Sequence, residues 1–291
     1  MGERWPAVII VLLEADSFSD SSPLRVVMCF QYFTDEEYNR AFVEFGGVRQ
    51  RIAEKLEEYC HGTGRILDAP AGHGYLGFAV AERLPGCRVV ALGFQNDLDS
   101  YSRVRQQAQI PRSTFCRVQY LLGDGTQIPL QSDSCLAVVN FLGLEDVMMT
   151  RGLSGVRRML SEFTRVADPH GLIQLAVVEY GDLPEERVAK QVWDAIGLNA
   201  VFLESAQYVQ ILDELGIDLV EEELIPLNKK MTPSQAREEI RFACTEAPRI
   251  FRRFGVTARP FTEIWREFGH RIETHGMAYW SRLRLLFFSQ R

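Results

Sequence analysis

Residues 65–77 read RILDAPAGHGYLG, and this stretch decides the fold of the 291-residue chain. A short apolar run ends in Asp68 and passes at once into a turn with glycine at positions 72, 74 and 77. The amphipathic segment that follows predicts a helix over residues 75–84. The order strand, glycine-rich turn, helix is typical of α/β domains in which the backbone closely approaches a nucleotide-like ligand.

The same alternation continues downstream of this stretch. Apolar runs predict strands over residues 65–69, 88–94, 115–122, 135–142, 172–180, 219–226 and 281–289, and helical spacing predicts helices over 75–84, 97–109, 153–166, 184–196 and 205–215. Strands that are apolar throughout are typical of a parallel sheet covered on both faces. We therefore predict a doubly wound α/β fold. Its mainly parallel seven-stranded sheet has helices on both faces and a helical insertion between the last strands.

Composition shifts predict the boundaries of the chain's parts. The polar run DSFSDSSP at residues 16–23 separates an N-terminal extension, residues 1–27, from a core over 28–226 that has Met28 as a candidate natural start. Residues 34–45 and 48–59 predict two helices with a break at Gly46-Gly47. Residues 227–279 predict a helical insertion or lid, broken at Pro248, Gly255 and Pro260, and residues 280–291 a final core strand.

Composition also excludes several classes of protein. Hydrophobic residues make up 46% and charged residues 24%, which are ordinary globular values. The net charge of −7 argues against a protein that coats nucleic acid with its whole surface. Six cysteines without a CxxC pair argue against a zinc site and a disulfide framework. We expect a cytoplasmic monomer or homodimer without a membrane span, a nucleic-acid partner or a metal.

Three features distinguish between the cofactors that bind at such a turn. Asp68 stands at the strand end, where a carboxylate suits an ammonium group better than a pyrophosphate. The second predicted strand ends in Gly93-Phe94-Gln95, without the acidic residue that a dinucleotide's ribose needs. Asp124 follows the third predicted strand, where a carboxylate can accept a hydrogen bond from an adenine amino group. Asp68 and Asp124 together outline a pocket for S-adenosylmethionine.

At these motifs the sequence resembles the class I S-adenosylmethionine-dependent methyltransferases. Residues 67–77 (LDAPAGHGYLG) resemble that family's first motif, with Pro70 where glycine is commonest. Residues 121–147 (LLGDGTQIPLQSDSCLAVVNFLGLEDV) resemble its next block, and residues 163–179 (FTRVADPHGLIQLAVVE) resemble the segment around its fifth strand. The resemblance covers residues 65–179 and implies a methyltransferase with S-adenosyl-L-methionine as cofactor.

The resemblance also implies roles for particular positions. Asp68 would orient the methionine end, Asp124 would meet the adenine, and Asn140 and Phe141 would lie under the sulfonium. The family's acidic ribose ligand falls at Gly93, with Gln95, Asp97 and Asp99 as candidate replacements. The implied cofactor-binding residues are Asp68, Ala69, Pro70, Ala71, Gly72, Gly74, Gly93, Phe94, Gln95, Asp124, Gly125, Thr126, Asn140 and Phe141.

Catalysis needs fewer residues, because methyl transfer from a sulfonium is an in-line displacement in which the enzyme mainly positions the nucleophile. A base is required only if the acceptor loses a proton. Glu179, which ends the fifth predicted strand, is the candidate base, ahead of His73, Glu145, Asp146 and Asp182. Tyr32 and Tyr38 are the candidate substrate-contacting residues, since this family often closes its pocket with an aromatic-bearing N-terminal helix.

Residues 227–279 contain four more basic than acidic side chains. This excess indicates an anionic small-molecule acceptor or a solvated helix face equally well. Three alternative functions remain open at this point: a non-catalytic S-adenosylmethionine-binding protein, an NAD-dependent oxidoreductase and an RNA methyltransferase. Asp68 and the missing ribose acid disfavour the oxidoreductase, and only the basic excess favours the RNA enzyme.

Overall fold

The computed structural model describes residues 35–107, 110–198, 203–227, 230–279 and 281–290. The predicted extension over residues 1–27, Met28 and Tyr32 lie outside these ranges. Within them, none of the helices combines the length and apolar character that crossing a bilayer requires.

The elements follow the predicted alternation. The strands are β1 (Arg65–Asp68), β2 (Arg88–Gly93), β3 (Val118–Leu122), β4 (Cys135–Phe141), β5 (Ala167–Glu179), β6 (Ile217–Pro226), β7 (Lys230–Met231), β8 (Met277–Ala278) and β9 (Arg282–Gln290). The helices are α1 (Asp35–Tyr59), α2 (Tyr75–Arg83), α3 (Gln95–Gln107), α4 (Arg112–Phe115), α5 (Leu144–Val166), α6 (Pro184–Ile196), α7 (Ser205–Glu214), α8 (Pro233–Ile250) and α9 (Phe261–His275). A single 3₁₀ turn, Arg252–Phe254, follows α8.

Seven strands form one sheet in the order β3–β2–β1–β4–β5–β9–β6. β1 pairs in parallel with both β2 and β4, and β2 pairs in parallel with β3. β9 pairs with β6 in the antiparallel direction. The predicted doubly wound, mainly parallel seven-stranded sheet with helices on both faces is confirmed.

The chain divides into two compact units, each with its own core. The first comprises the chain up to Phe141 together with Glu162–Ile173. Its strands are buried almost throughout, with Ile66 and Leu67 of β1 and Val89 of β2 fully inaccessible. Strands of this kind read as continuous apolar runs, which is why the sequence predicts them well.

The second unit comprises Leu142–Ser161 and Gln174–Arg291. β9 is apolar along most of its length and is buried, whereas its partner β6 alternates between partly buried and exposed residues. The helices α8 and α9 lie between these two strands in sequence, as the predicted insertion requires, and β7 pairs with β8. A lid role for residues 227–279 stays a prediction.

The predicted break at Gly46-Gly47 is wrong. α1 runs through both glycines for 25 residues. Its buried residues Phe45, Ile52 and Leu56 form one stripe at helical spacing. Packing of that stripe outweighs the helix-forming penalty of the two glycines, which is about 1 kcal/mol each.

Two other predicted boundaries are also wrong. β5 begins at Ala167, five residues before the predicted strand start at residue 172, and it includes Pro169 because a proline near a strand start removes no essential hydrogen bond. α8 continues through Pro248 to Ile250, since its face over Ala236, Ile240 and Ala247 is buried. In α8, therefore, tertiary packing overrides a local signal.

The glycines of α1 give a direct test of this balance. Gly47→Ala is expected to raise the free energy of unfolding by about 0.5–1 kcal/mol, because alanine loses less backbone entropy in a helix. A Cβ at position 47 meets no atom within 4 Å. Gly62→Ala is the matched control: it has the same free space but a φ of +99°, so the substitution should destabilise. Urea unfolding of both variants measures the difference, and a destabilised Gly47→Ala variant would contradict the account.

Candidate functional site

The candidate site lies at the carboxyl edge of the first unit's parallel strands. Asp68, which ends β1, is level with Val139 of β4, so Asn140 stands one residue beyond it. Gly93, which ends β2, is level with the end of β3, two residues before Asp124. All the cofactor-binding residues expected from the sequence lie in this unit.

Asp68 is a buried carboxylate, with 1% of its surface exposed. Its Oδ2 accepts a hydrogen bond of 2.9 Å from the backbone N–H of Gly77, in the first turn of α2. Burial raises the pKa of Asp68 to about 7, and the Gly77 hydrogen bond and the charge of Arg49 counteract that rise only in part. A Cβ on residue 77 would lie 3.1 Å from Oδ2, so glycine allows α2 to approach the carboxylate this closely.

The conformation of the turn between β1 and α2 depends on its glycines. Gly72 and Gly74 have φ angles of 49° and 80°, in the left-handed region that favours glycine. The N–H of Gly74 donates to the carbonyl of Ala71 at 2.8 Å. A Cβ on residue 74 would lie 2.6 Å from Cδ2 of Tyr101, a buried side chain of α3. The turn therefore has no room for a side chain at this position.

Asn140 joins this turn to β4. The side chain is fully buried, and its Nδ2 donates to the carbonyl of Ala69 at 2.8 Å. Its Oδ1 is also buried and has no hydrogen-bond partner among the described residues. A buried acceptor without a donor costs about 1–3 kcal/mol, so a ligand that donates there would be stabilised. Pro70 and Ala71, which follow Ala69, are partly exposed.

Arg49 of α1 is a site residue that the sequence analysis missed. It is buried, and its guanidinium carbon lies 4.9 Å from the ring centre of Phe141 and 5.1 Å from that of Tyr75. Cation–π contacts of this kind hold a guanidinium in one orientation. Phe141 also meets Phe45 edge-on, with ring centres 5.9 Å apart. A signal existed in the sequence, since Arg49 is a charged residue four positions after Phe45 on the apolar stripe of α1.

His73 is buried within the glycine-rich turn. Its ring is nearly parallel to that of Tyr75, with centres 6.2 Å apart. Burial, together with the charges of Arg103 and Arg49, lowers the pKa of His73 to about 3. The imidazole is therefore neutral at physiological pH and accepts a proton poorly there.

Asp124 forms a tight turn after β3. Its Oδ1 accepts hydrogen bonds from the N–H and the hydroxyl of Thr126, at 2.9 Å and 2.8 Å. The N–H of Gly123 donates to the carbonyl of Gly93 at 3.0 Å, which ties the ends of β2 and β3 together. Gly125 and Thr126 are partly buried. These hydrogen bonds orient the carboxylate at the strand edge, as an adenine-contacting role would require.

Position 93 has no room for a side chain. A Cβ there would lie 2.1 Å from the hydroxyl oxygen of Tyr120. That hydroxyl donates to the carbonyl of Phe94 at 3.2 Å. Phe94 and Gln95, the other residues expected at this strand end, are exposed. The acidic residue is absent from position 93 because Tyr120 occupies the space.

Glu179 lies in the second unit, between arginines of β9. Its Oε1 accepts a hydrogen bond of 2.8 Å from Nε of Arg284, and its Oε2 lies 3.6 Å from Nε of Arg282. Burial raises the pKa of Glu179, but hydrogen bonds from Arg284 and Ser205 and the charges of both arginines outweigh it, so the net shift is downward. A carboxylate in two ion pairs takes up a proton reluctantly. A catalytic role for Glu179 stays a prediction.

Glu145, in the first turn of α5, is the more basic carboxylate of the second unit. Burial raises the pKa of Glu145 to about 7, although the backbone N–H groups of Glu145 and Val178 donate to the carboxylate. Its Oε2 is buried and has no hydrogen-bond partner within the described ranges. Of the two carboxylates, Glu145 has the environment of a general base near neutral pH.

Two predicted substrate residues cannot be placed against this site. Tyr32 lies outside the described residues. Tyr38 lies in α1, where the described side chains begin at Phe45. Both stay predictions. In the part of the chain that is described, no group of three or more His, Cys, Asp and Glu side chains is arranged to hold a metal ion.

The sequence is similar to those of methyltransferases. A malonyl-[acyl-carrier protein] O-methyltransferase from Laribacter hongkongensis is 32% identical over 154 residues, which are 52% of this chain and 50% of the relative. A ubiquinone/menaquinone biosynthesis C-methyltransferase from Syntrophotalea carbinolica is 28% identical over 134 residues, 45% of this chain and 50% of the relative. The chain thus spans about half the length of these relatives. No family model matches it.

Solved structures resemble the chain over most of its length. The YcgJ protein of Bacillus subtilis aligns with 84% of this chain and 97% of its own, at 14% identity and a TM-score of 0.54. Phosphoethanolamine N-methyltransferase 2 of Haemonchus contortus, in complex with S-adenosyl-L-methionine, aligns with 91% of this chain and 59% of its own, at 16% identity and a TM-score of 0.51. The chain has the fold of the class I S-adenosylmethionine-dependent methyltransferases.

The class I methyltransferase fold is also found in proteins named for other chemistry. The [4+2]-cyclase SpnF aligns with 83% of this chain and 80% of its own, at 17% identity and a TM-score of 0.53. Likeness at such low identity establishes the fold alone. The predicted family resemblance is confirmed.

The crowding at the end of β2 predicts a stability effect. Gly93→Ala is expected to lower the free energy of unfolding by about 1–3 kcal/mol, because the new methyl group must displace the Tyr120 hydroxyl. Urea unfolding monitored by circular dichroism gives the value. The double variant Gly93→Ala/Tyr120→Phe should recover part of the loss, since it removes the oxygen 2.1 Å away. Equal stability of wild type and Gly93→Ala would contradict the crowding.

Proposed function

We propose that the protein is an S-adenosylmethionine-dependent methyltransferase whose cofactor binds along the carboxyl edge of the first unit. The observation that carries the proposal is the buried Asp68 carboxylate beside the glycine-rich turn. Its raised pKa marks a carboxylate that lacks a full charge partner within the protein. The methyltransferase relatives and the shared fold support the same conclusion.

The residues of the first unit suit the chemistry of this cofactor. The Asp68 carboxylate is a partner for the ammonium of the methionine end, and the buried Arg49 guanidinium is a partner for its carboxylate. The buried Oδ1 of Asn140 accepts from an N–H or O–H donor. The oriented carboxylate of Asp124 accepts from the adenine amino group. Glycines at 72 and 74 let the backbone come close to the bound group.

S-adenosylmethionine, when bound, supplies a methyl group already activated on a sulfonium. The chain's task is then to hold the two ends in line and exclude water. Phe141 and Tyr75 add aromatic faces, which attract cations. An acceptor that must lose a proton needs a base as well, and the pKa of Glu145, about 7, is in the range that a general base requires.

We further infer that the methyl acceptor is a small molecule that carries a negative charge. On α8, Arg237 and Arg241 are exposed, and their guanidinium groups lie 5.3 Å and 5.0 Å from the ring centres of Trp265 and Phe261. Neither forms an ion pair within the described ranges. Two arginines one helical turn apart, held on aromatic faces, suit carboxylate or phosphate recognition. The relative named for a malonyl acceptor supports the same charge.

A non-catalytic S-adenosylmethionine-binding protein is the second candidate. The ion-paired Glu179 and the cyclase with the same fold favour it. Both functions require cofactor binding, and only the first requires turnover. Transfer of label from methyl-labelled S-adenosylmethionine to an acceptor therefore separates them.

Cofactor binding is expected to depend on pH through Asp68. A ligand ammonium pairs with the ionised carboxylate, and the pKa of Asp68 near 7 means that this form is lost as the pH falls. S-adenosylhomocysteine should therefore bind about tenfold or more weakly at pH 5.5 than at pH 7.5. Isothermal titration calorimetry in two buffers at pH 7 should also detect proton release on binding.

The control variant is Asp68→Asn, which is expected to bind weakly and without this pH dependence. NAD titrated in parallel should not bind. Binding of NAD alone would overturn the proposed cofactor. A pH dependence that persists in Asp68→Asn would assign the titration to another group, Glu145 among them.

If the acceptor is anionic, replacing the two α8 arginines should raise the KM for the acceptor. With malonyl-CoA as the probe, Arg237→Ala/Arg241→Ala should raise the KM about tenfold or more, because two charge-assisted hydrogen bonds are lost. The Kd for S-adenosylhomocysteine should stay unchanged. Arg249→Ala is the matched control on the same helix, since Arg249 is already paired with Glu246 at 2.7 Å. If the wild-type protein methylates a neutral analogue but not malonyl-CoA, the inference that the acceptor carries a negative charge is wrong.

A further inference from the structure

The ring and hydroxyl of Tyr120 leave no room for a side chain at the end of β2, and packing against other rings holds Tyr120 in place. Tyr120 is buried, and its ring centre lies 4.8 Å from that of Tyr101. Tyr101 stacks on Phe78 at 5.3 Å, and its hydroxyl donates to the carbonyl of Val118 at 3.0 Å. The Tyr120 hydroxyl beside position 93 therefore has little freedom to move aside. No acidic side chain can occupy this strand end while Tyr120 keeps its place.

Asp97 brings a carboxylate to the same place from the neighbouring helix. It is the third residue of α3, and its Oδ2 lies 3.4 Å from the point where a Cβ on residue 93 would stand. In an aspartate at position 93, the carboxylate oxygens would lie about 2.4 Å from the Cβ. The Asp97 oxygen is therefore only about 1 Å farther from this point than the oxygens of a strand-end aspartate would be. The helix thus brings a carboxylate oxygen close to the strand end that Tyr120 closes to side chains.

The other two candidate residues do not reach this point. Gln95 is exposed and carries no charge, and Asp99 is exposed two residues further along α3. Residues two apart on a helix point to different sides, so Asp99 faces away from Asp97. Of the three candidate residues, Asp97 is the one with an oxygen among the three atoms nearest to a Cβ at position 93.

Asp97 also has a structural role that is distinct from ligand binding. Its Oδ2 accepts a hydrogen bond of 3.2 Å from the N–H of Phe94, which precedes the first residue of α3. This is half of a helix cap, and an asparagine would accept the same bond. Capping therefore needs only an acceptor, whereas strong binding of two sugar hydroxyls needs the negative charge.

We propose that Asp97 binds the ribose hydroxyls of the cofactor, in place of the carboxylate that Tyr120 excludes from position 93. This inference rests on the proposed function and adds one binding residue to the same site. The Asp97 carboxylate and the strand-end glycine are neighbours, because Oδ2 of Asp97 lies 3.4 Å from the point where a Cβ on residue 93 would stand.

The test compares two ligands that differ by one hydroxyl. Isothermal titration calorimetry of the full chain at pH 7.5 uses S-adenosylhomocysteine and its 2′-deoxyribose analogue. Wild type should prefer the ribose form by about tenfold, the usual size of a charge-assisted hydrogen bond. Asp97→Asn should weaken S-adenosylhomocysteine by about the same factor and bind both ligands nearly equally. Asp99→Asn, the matched control on the same helix, should behave as wild type.

Each outcome decides between the two roles. Wild-type binding with an unchanged preference in Asp97→Asn would overturn the role of Asp97 and leave the proposed function intact. Absence of binding by wild type would overturn both. The unfolding temperature without ligand should be the same in Asp97→Asn, because the amide keeps the cap. If that variant fails to fold, Asp97→Glu, which keeps the charge, must retain a preference for the ribose form, and its loss would equally overturn the inference.

Discussion

Burial of the Asp68 carboxylate at the end of β1 is the constraint on which the candidate site depends. A buried charge without partners is unfavourable by several kcal/mol, and here the penalty appears as a pKa of about 7. Two groups reduce it: the N–H of Gly77 and the charge of Arg49. Both demand a particular sequence, since any Cβ at 77 would crowd the carboxylate and since Arg49 must sit on a stripe of α1 that is otherwise apolar. A cationic ligand group completes the arrangement, which is why the site suits an ammonium and opposes a pyrophosphate.

The second element of the site is a pair of glycine–tyrosine contacts. Gly74 lies against Tyr101 and Gly93 against Tyr120, and in both places an added Cβ would come within 2.6 Å of the ring or its hydroxyl. The tyrosines fill the space that side chains of the turn and the strand end would otherwise take. The backbone at this edge therefore carries no side chain at positions 74 and 93, which favours close approach of a ligand. The same packing leaves no room for an acidic side chain at position 93. The proposed role of Asp97 beside that position rests on the geometry of the structure and not on the sequence motif.

Local patterns predict this fold well where the structure itself is local. The continuous apolar runs of β1 to β4 gave strand positions within a few residues, and parallel strands place their carboxyl ends at one edge, so the site's location followed too. Packing between distant segments was not predictable in this way. α1 passes through Gly46-Gly47 because its buried stripe outweighs the local preference of the two glycines. The ion pair that neutralises Glu179 joins residues 105 positions apart, and no periodicity in either segment reports it.

The division of the chain bears on how its chemistry is specified. The first unit contains the residues that the proposed cofactor site needs, from Asp68 to Asn140, and they suit any protein that binds this cofactor. A fold shared with both an N-methyltransferase and a [4+2]-cyclase cannot by itself select the reaction. The second unit contains two carboxylates whose pKa values shift in opposite directions: hydrogen bonds and charges from arginines lower the pKa of Glu179, whereas burial raises that of Glu145 to about 7. A carboxylate that is about half ionised at pH 7 accepts a proton and releases it again at low cost. A base that deprotonates the nucleophile of a methyl acceptor requires this property.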